Sequence, residues 1–232
     1  MNNPVIILVA PQMGENIGAT ARAMKNFGLT ELRIVAPRDG WPNDKANSMA
    51  VGAADILLNA KIYNDLESSI ADLEYIYATT STPRDMHKNY VLSKELQAEM
   101  PAAFLKVGVM FGRENCGLNN QEITLANKII TIDTDRNFSS LNIAQAVIII
   151  CYELFKLQQR SDLANEQILA TKEQMHYFFD HLFTELDNKS FFKSPSMRPQ
   201  MTQNITNLFN RMELSTQELQ TLHGVVRALV RE

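Results

Sequence analysis

The stretch FSSLNIAQAVIIICYE, residues 138–153, places two serine hydroxyls and an asparagine amide directly before a long apolar run. Residues 143–153 are apolar almost throughout, which is typical of a helix buried in a protein core. Ser140 or Asn142 can cap the first N–H groups of that helix, which otherwise lack partners. By itself the stretch indicates a capped core helix. A functional role is favoured because two other polar turns containing glycine precede this stretch, each after an apolar run.

The bulk composition describes an ordinary globular chain with a slightly acidic balance. Of its 232 residues, 45% are hydrophobic and 21% are charged, and the net charge of −4 argues against a globally basic nucleic-acid binder. A local basic face stays open, because a few well-placed cations suffice for phosphate contacts. Six residues near the polar turns could supply it: Arg22, Lys25, Arg84, His87, Lys88 and Arg113.

The same composition bears on the compartment and on metal binding. The longest apolar run, residues 146–152, is too short to span a bilayer, and the N-terminus lacks the pattern of a signal peptide. Cys116 and Cys151 show neither metal-ligand spacing nor the pattern of a disulfide framework. We therefore predict a cytoplasmic protein with no membrane segment and no metal site.

Strand-like and helix-like segments alternate over the first two thirds of the chain. PVIILVA, residues 4–10, indicates a strand buried on both faces, and the next helix, residues 17–27, would be capped by Asn16 and ended by Gly28. Further strands are predicted at 32–36, 61–63, 75–79, 107–111 and 129–132, and further helices at 66–71, 94–104 and 120–126. Residues 80–90 are predicted to be a loop, and residues 49–59 mix helix and turn signals. The alternation predicts an α/β fold with a mostly parallel sheet and helices on both faces.

The pattern changes near residue 158, after which no strand-like run follows. Residues 173–186 are predicted to form an amphipathic helix with Tyr177 and Phe178 on its apolar face, and residues 204–211 and 216–230 two more helices. We predict two domains, residues 1–160 with the sheet and residues 161–232 as a small all-helical extension. A polar linker is expected at residues 161–166.

Two further turns carry polar groups where strands end. GENIGATARAMK, residues 14–25, combines glycines with a helix start that would favour an anion. FGRENCGL, residues 111–118, places adjacent Arg113 and Glu114 on a glycine-flanked loop, where they suit either a polar ligand or a surface ion pair. Neither turn has the spacing of a dinucleotide fingerprint or a P-loop. Ligands of parallel sheets bind beyond the carboxyl ends of the strands, so the turns are expected to lie together.

These three motifs resemble those of the SPOUT superfamily of RNA methyltransferases, in its ribose 2′-O-methyltransferase branch. The matching patterns are N-x-G-x-x-A-R-A-M-K, F-G-R-E-x-x-G-L and S-S-L-N-x-A-x-A-V, and the resemblance extends over residues 4–157. Within the branch the chain is most similar to bacterial enzymes that methylate cytidine or uridine at nucleotide 32 of the tRNA anticodon loop. The helical extension is similar to theirs as well.

The resemblance implies a C-terminal trefoil knot in which S-adenosylmethionine is bound by three loops, and a homodimer whose active site combines both chains. Carried onto this sequence, the cofactor residues are Thr79, Thr80, Ser81, Gly112, Ile132, Ser139, Ser140 and Leu141. In this family the position of Arg22 is catalytic, and Asn16, Glu114, Ser140 and Asn142 shape the pocket around it. Residues 81–84, STPR, depart from the expected Pro-free run before the arginine.

Several alternatives remain open beside a tRNA methyltransferase. The same chemistry could act on ribosomal RNA or on another tRNA position. A relative that binds RNA but has lost catalysis is another reading, although the presence of Arg22, Glu114, Ser140 and Asn142 speaks against it. An enzyme acting on a small molecule is disfavoured because no usual nucleotide fingerprint is present. In the extension, Lys189, Lys193 and Arg198 are predicted phosphate contacts, unless its helices only cover a dimer surface.

Overall fold

A computed structural model of the chain describes residues 3–81, 87–101, 105–135, 137–157 and 169–230. Its central feature is a seven-stranded sheet in the order β3-β2-β1-β6-β4-β7-β5, in which every strand pairing is parallel. The strands are β1 Val5–Val9, β2 Leu32–Val35, β3 Lys61–Tyr63, β4 Tyr75–Thr79, β5 Asn89–Leu92, β6 Val107–Phe111 and β7 Lys128–Thr131. The predicted α/β class is confirmed, and the trefoil knot stays a prediction of the family resemblance.

Helices connect and cover the strands. Those of the sheet lobe, residues 3–157, are α1 Gly14–Asn26, α2 Asp44–Met49, α3 Ala54–Leu58, α4 Leu66–Ile70, α5 Leu96–Glu99, α6 Asn120–Thr124 and α7 Ile143–Leu157, with a 3₁₀ turn at Ser93–Glu95. Those of the tail, residues 169–230, are α8 Lys172–Asn188, α9 Arg198–Asn210 and α10 Thr216–Val230. The predicted domain boundary at 160/161 and the linker at 161–166 lie outside the described residues.

Both faces of the sheet are buried, and alternate residues of β1 show why. Ile6 and Leu8 belong to one apolar cluster with α1, α3 and α7, whereas Val5, Ile7 and Val9 belong to another with α4 and α6. A strand with both faces covered needs an uninterrupted apolar sequence. The predicted helices on both faces are therefore confirmed.

Two predicted elements differ from the structure near the edge of the sheet. The predicted loop at residues 80–90 was too long, because Asn89–Leu92 forms the edge strand β5 beside β7. The helix predicted at 94–104 is much shorter: α5 ends at Glu99, and Met100 is already extended. The residue before a proline is disfavoured in the helical region, and Pro101 follows Met100.

The tail has a small core of its own and is attached to the sheet lobe by hydrogen bonds and by Leu169, which is buried in the core of the lobe. Its core cluster includes Phe178 and Phe179 of the predicted amphipathic helix, but Tyr177, predicted on the same face, is exposed.

Hydrogen bonds also join the tail to the sheet lobe. The Tyr75 hydroxyl donates to Glu213 at 2.8 Å, and the Lys172 backbone N–H donates to the carbonyl of Leu73 at 2.7 Å. No helix among the described residues is long and apolar enough to cross a membrane.

Candidate functional site

The loops that follow β4, β6 and β7 enclose a cavity of about 300 Å³ at the carboxyl edge of the sheet. All eight residues predicted to bind the cofactor line this cavity: Thr79, Thr80, Ser81, Gly112, Ile132, Ser139, Ser140 and Leu141. Part of the lining was not predicted from the sequence, namely the apolar wall formed by Ile130, Ile143 and Ala146. The only signal for these three was their place at the end of a strand and the start of a helix.

Two glycines shape the loop that follows β6. Arg113 and Gly117 exchange backbone hydrogen bonds, at 3.3 and 2.8 Å, so the loop closes tightly. Gly117 has a φ of 68°, in the left-handed region that favours glycine. A side chain at Gly112 would overlap the backbone of Gly117 and Leu118. The loop after β6 therefore needs glycine at positions 112 and 117 for steric and backbone reasons, independently of any ligand.

Glu114, in the same loop, accepts hydrogen bonds from the start of α1. Its carboxylate receives the backbone N–H of Gln12 at 2.8 Å, that of Met13 at 3.3 Å, and the Asn16 amide at 2.9 Å. Helix α1 has no side-chain cap of its own at Met13. A carboxylate at this end interacts favourably with the unpaired N–H groups and the helix dipole.

Asn16 is buried and connects Glu114 to the third loop. The Asn142 amide donates to the Asn16 Oδ1 at 2.9 Å, so Glu114, Asn16 and Asn142 form one hydrogen-bonded chain. The predicted cap by Asn16 is wrong, because α1 starts at Gly14, three residues earlier than predicted, and the Asn16 side chain bonds to these remote partners. The predicted cap by Asn142 is present: its Oδ1 accepts the Ala144 N–H at 2.9 Å.

Arg22 lies apart from the other predicted catalytic residues. Glu114 and Ser140 line the cavity, and Asn16 and Asn142 adjoin it through Glu114, but Arg22 is not part of the lining. Six residues separate Arg22 from Asn16 on α1, which is roughly 9 Å along a helix axis. Arg22 is exposed and makes no hydrogen bond or ion pair with the described residues.

The predicted basic face is only partly present at the surface: Arg22, Lys25 and His87 are exposed. Lys88 is buried, and its ammonium donates to the carbonyls of Thr124, at 2.8 Å, and Ala126. Lys25 pairs with Asp55, and Arg113 pairs with Glu122 at 2.9 Å. Of the two roles considered for Arg113, the structure shows the ion pair. His87 is exposed, and Arg84 lies outside the described residues, as does the departure at 82–84.

In the tail, the three predicted phosphate contacts differ in their surroundings. Lys189 and Lys193 are exposed, whereas the Arg198 guanidinium forms an ion pair with Asp187 at 2.7 Å. Among the described residues no group of three metal-ligating side chains is present, and Cys116 and Cys151 are both free.

Comparison with known proteins identifies the family. A family model described as the SpoU rRNA Methylase family matches residues 3–152. The chain belongs to the SpoU methylase family. A second model, described as the C-terminal domain of the tRNA methyltransferase TrmJ, matches residues 173–232. The predicted superfamily is confirmed, and with it the predicted enzyme class, an RNA 2′-O-methyltransferase that uses S-adenosylmethionine.

Relatives of this SpoU methylase match it over nearly its whole length. The tRNA (cytidine-2′-O-)-methyltransferase TrmJ of Methanocaldococcus jannaschii is 32% identical over 221 residues, covering 94% of this chain and 95% of that protein. The tRNA (cytidine/uridine-2′-O-)-methyltransferase TrmJ of Sodalis glossinidius is 30% identical over 237 residues, covering 99% and 92%.

Solved structures share the fold. The crystal structure of TrmJ from Z. mobilis ZM4 has a TM-score of 0.89 and 37% identity, and the match covers 98% of this chain and 99% of that one. The SpoU methyltransferase AviRb from Streptomyces viridochromogenes, solved in complex with the cofactor AdoMet, has a TM-score of 0.54 and 19% identity, with coverage of 68% and 61%.

Proposed function

We propose that this SpoU methylase transfers a methyl group to the ribose 2′-hydroxyl of cytidine or uridine at nucleotide 32 of tRNA. The observation that carries the proposal is the cavity of about 300 Å³, which is lined by every residue predicted to bind the cofactor. The names of its relatives and the match of the tail to the TrmJ C-terminal domain support tRNA as the substrate. A cytoplasmic location follows from that substrate.

The cavity fits the proposed cofactor in shape and chemistry. It combines apolar walls, such as Ile132 and Leu141, with the hydroxyls of Ser139 and Ser140 and with backbone groups of the glycine-bearing loop. When bound, S-adenosylmethionine supplies a methyl group on a positively charged sulfur. The residues around it serve to position the reacting groups, which is the main contribution a protein makes to an in-line displacement.

Arg22 is proposed to act on the RNA and not as a base. The guanidinium group is strongly basic, so removing its proton at neutral pH is very costly. Its exposed guanidinium is unpaired among the described residues and can orient a phosphate and stabilise a developing alkoxide. Glu114 and Asn16 position the start of the helix that carries it.

The distance of Arg22 from the cavity supports a composite site in a homodimer. Ile148, Tyr152 and Phe155 are exposed at helical spacing along α7, and Phe27 of α1 contacts the latter two rings. An exposed apolar stripe of this kind is typical of an interface. If α1 and α7 pair with their copies in a second chain, Arg22 of one chain can serve the cavity of the other.

The composite site is tested by mixing two inactive variants. Arg22→Ala lacks the guanidinium, and Gly112→Val disrupts the cavity loop. In a mixed dimer one site has both an intact cavity and an intact arginine, so co-expression should restore about one quarter of the wild-type activity, since half the dimers are mixed and half their sites complete. No recovery, with mixed dimers demonstrated by differential tagging and light scattering, would show that Arg22 serves its own chain.

The reaction is tested with labelled S-adenosylmethionine and total tRNA, followed by mass spectrometry of nuclease fragments. A 2′-O-methylcytidine or 2′-O-methyluridine at nucleotide 32 is the expected product. Methylation of another tRNA position or of ribosomal RNA would support the proposed 2′-O-methyl transfer and would contradict nucleotide 32 of tRNA as its target. Cofactor binding by calorimetry without transfer to any RNA would reject the enzyme activity.

Arg22→Ala should abolish methyl transfer while leaving the affinity for S-adenosylmethionine nearly unchanged, because Arg22 does not line the cavity. Lys25→Ala is the matched control, since Lys25 is one turn further along the same exposed face and pairs with Asp55. Full activity of the Arg22 variant would remove the proposed role.

A further inference from the structure

A second cavity, of about 250 Å³, lies between the sheet lobe and the tail, away from the proposed active site. We call it the tail groove. Its walls are mainly apolar and come from α8 and from the C-terminal ends of α4 and α6: Ile70, Ala71, Leu125, Met175 and Phe179. Ligand pockets in proteins start at roughly 300 Å³ and are usually apolar with a few polar groups. The groove is therefore suited to a small, largely apolar molecule.

One buried cation lines the groove. Lys172, the first residue of α8, is only 8% exposed. Its ammonium donates to the Asn210 Oδ1 at 3.2 Å, and the Asn210 amide is held by its own bond to the Thr124 carbonyl at 3.1 Å. No carboxylate among the described residues forms an ion pair with Lys172. A lysine ammonium has three donors, so this one has capacity for an anionic acceptor.

The surrounding charges restrict which anion can enter. Lys88 is buried close by, with no carboxylate partner among the described residues, and its pKa is lowered first by burial and further by the charges of Lys172 and Arg211. The mouth of the groove, in contrast, has the exposed carboxylates of Glu67 and Glu173. Acidic groups at the entrance repel a polyanion such as RNA, while a single negative charge on an apolar body can pass and pair with the lysine inside.

We propose that the tail groove binds a small-molecule monocarboxylate with an apolar body, its carboxylate on the Lys172 ammonium and its body against Met175 and Phe179. The buried amine, which has no carboxylate partner among the described residues, supplies the electrostatic complementarity once it is protonated, and the walls supply the apolar contact. Because the groove is lined by both lobes, the ligand would bridge α4 and α8 and stabilise the docked tail.

Binding should be coupled to proton uptake. Burial lowers the pKa of Lys172 to about 7, so this amine is mostly neutral in mildly basic solution, and a carboxylate beside it favours the protonated form. The charged and titratable groups around it are Glu173 and His176 of α8, Glu67 of α4, Glu74, Lys88, Arg211 and Glu213. Of these, none forms an ion pair with Lys172 in the part of the chain that the structure describes.

The test compares 4-phenylbutyrate with 4-phenylbutanol, which has a similar body and no charge, on the intact protein. By calorimetry in mildly basic solution the acid should bind on the order of tenfold more tightly, as expected for a hydrogen bond to a charged group. In buffers of different ionisation enthalpy, its binding should show uptake of protons. Equal binding of the two compounds, or binding of neither, would overturn the proposal.

Two variants locate the site. Lys172→Met keeps the length and apolar body of the side chain and should remove both the preference for the acid and the proton uptake. Glu173→Gln, the matched control at the mouth, should keep both, with equal or tighter binding. A preference for the acid that survives in Lys172→Met would place the carboxylate elsewhere and contradict the assignment. Tighter binding of an acetylated Leu-Phe peptide acid than of 4-phenylbutyrate would point to a protein C-terminus and reject a small-molecule ligand.

Discussion

Glu114 joins three parts of the candidate site, because it accepts two backbone N–H groups and the amide of Asn16, which in turn accepts from Asn142. Glu114→Gln replaces one acceptor oxygen by a donor, which faces N–H groups that cannot accept. We expect a loss of stability of about 1–3 kcal/mol and slower methyl transfer, measured by denaturant unfolding and by initial rates. Glu15→Gln is the control, since Glu15 is in the first turn of α1, the helix that Glu114 contacts, and among the described residues its side chain pairs with Lys45 alone. Equal effects of the two substitutions would contradict the role of Glu114.

The ion pairs of the buried residue Arg33 lead to a prediction about stability. Its side chain is fully buried in β2, pairs with Asp72 at 2.5 Å and Glu31 at 2.7 Å, and donates to the Ser69 carbonyl. Burial alone would raise the pKa of Asp72, but the Arg33 guanidinium and the Lys106 ammonium together hold that pKa well below its usual range. Asp72→Asn should cost about 1–2 kcal/mol, less than a fully buried pair, because Asp72 is itself half exposed.

The same ion pair predicts a pH dependence with a definite sign. Since the folded-state pKa of Asp72 is depressed, its contribution is present above the ordinary pKa of an aspartate and is lost as the pH falls through the folded-state value. The difference in unfolding free energy between wild type and Asp72→Asn should therefore shrink in acid. Asp39→Asn, at an exposed pair with Arg38, should show little difference at any pH.

At the scale of elements, substitutions at two glycines should distinguish a loss of cofactor affinity from a loss of stability. Gly112→Val would force the loop open, because its side chain overlaps the backbone of Gly117 and Leu118. We expect the affinity for S-adenosylmethionine to fall more than tenfold, as for a misplaced binding group, measured by calorimetry. Gly28→Ala, at a φ of 71° with open space around it, should cost stability and leave affinity unchanged.

The elements that the sequence predicted well are those whose signal is local. β1 has an uninterrupted apolar run, and the end of α1 has Gly28 in the left-handed region, where the N–H of Leu29 bonds back to Met24. β5 was missed because its four residues, NYVL, are mostly exposed and pair with β7, about forty positions further along the chain. An edge strand owes its existence to that remote partner.

In the candidate site, too, features with a recognisable sequence motif were predicted, and features that depend on remote partners were not. The cavity lining was predicted from motifs that resemble a known family, and the structure places all eight residues together. The partners of Asn16 were not predicted, because an asparagine before a helix is usually a local cap. Lys88 was predicted on a basic face, but its carbonyl partners at Thr124 and Ala126 lie more than thirty residues away, so its burial had no local signal.

At the scale of the whole molecule, two buried lysines near the junction of lobe and tail give stability a rising dependence on pH. Burial lowers the pKa of Lys88 to about 6 and that of Lys172 to about 7, against an ordinary 10.5. From about pH 7 to about pH 10 the unfolded chain binds protons that the folded protein does not, so the free energy of unfolding should increase over this range.

Thermal unfolding followed by circular dichroism checks this dependence. Lys88→Met should flatten the rise in melting temperature, because it removes one of the two amines that must lose a proton on folding. Lys94→Met, at an exposed pair with Asp133, should keep the wild-type slope. A slope that is unchanged in Lys88→Met would mean that Lys88 stays charged in the folded protein.

The hydrogen bonds among Asn16, Glu114 and Asn142 join positions 98 and 126 residues apart. Contacts of such long sequence separation form late and slow the folding of a domain. A nascent chain that has not been synthesised beyond β7 lacks residues 139–141 and therefore part of the cavity lining. Binding of S-adenosylmethionine in the complete cavity thus requires that the chain from Asn16 to Asn142 has been synthesised and its distant ends brought together.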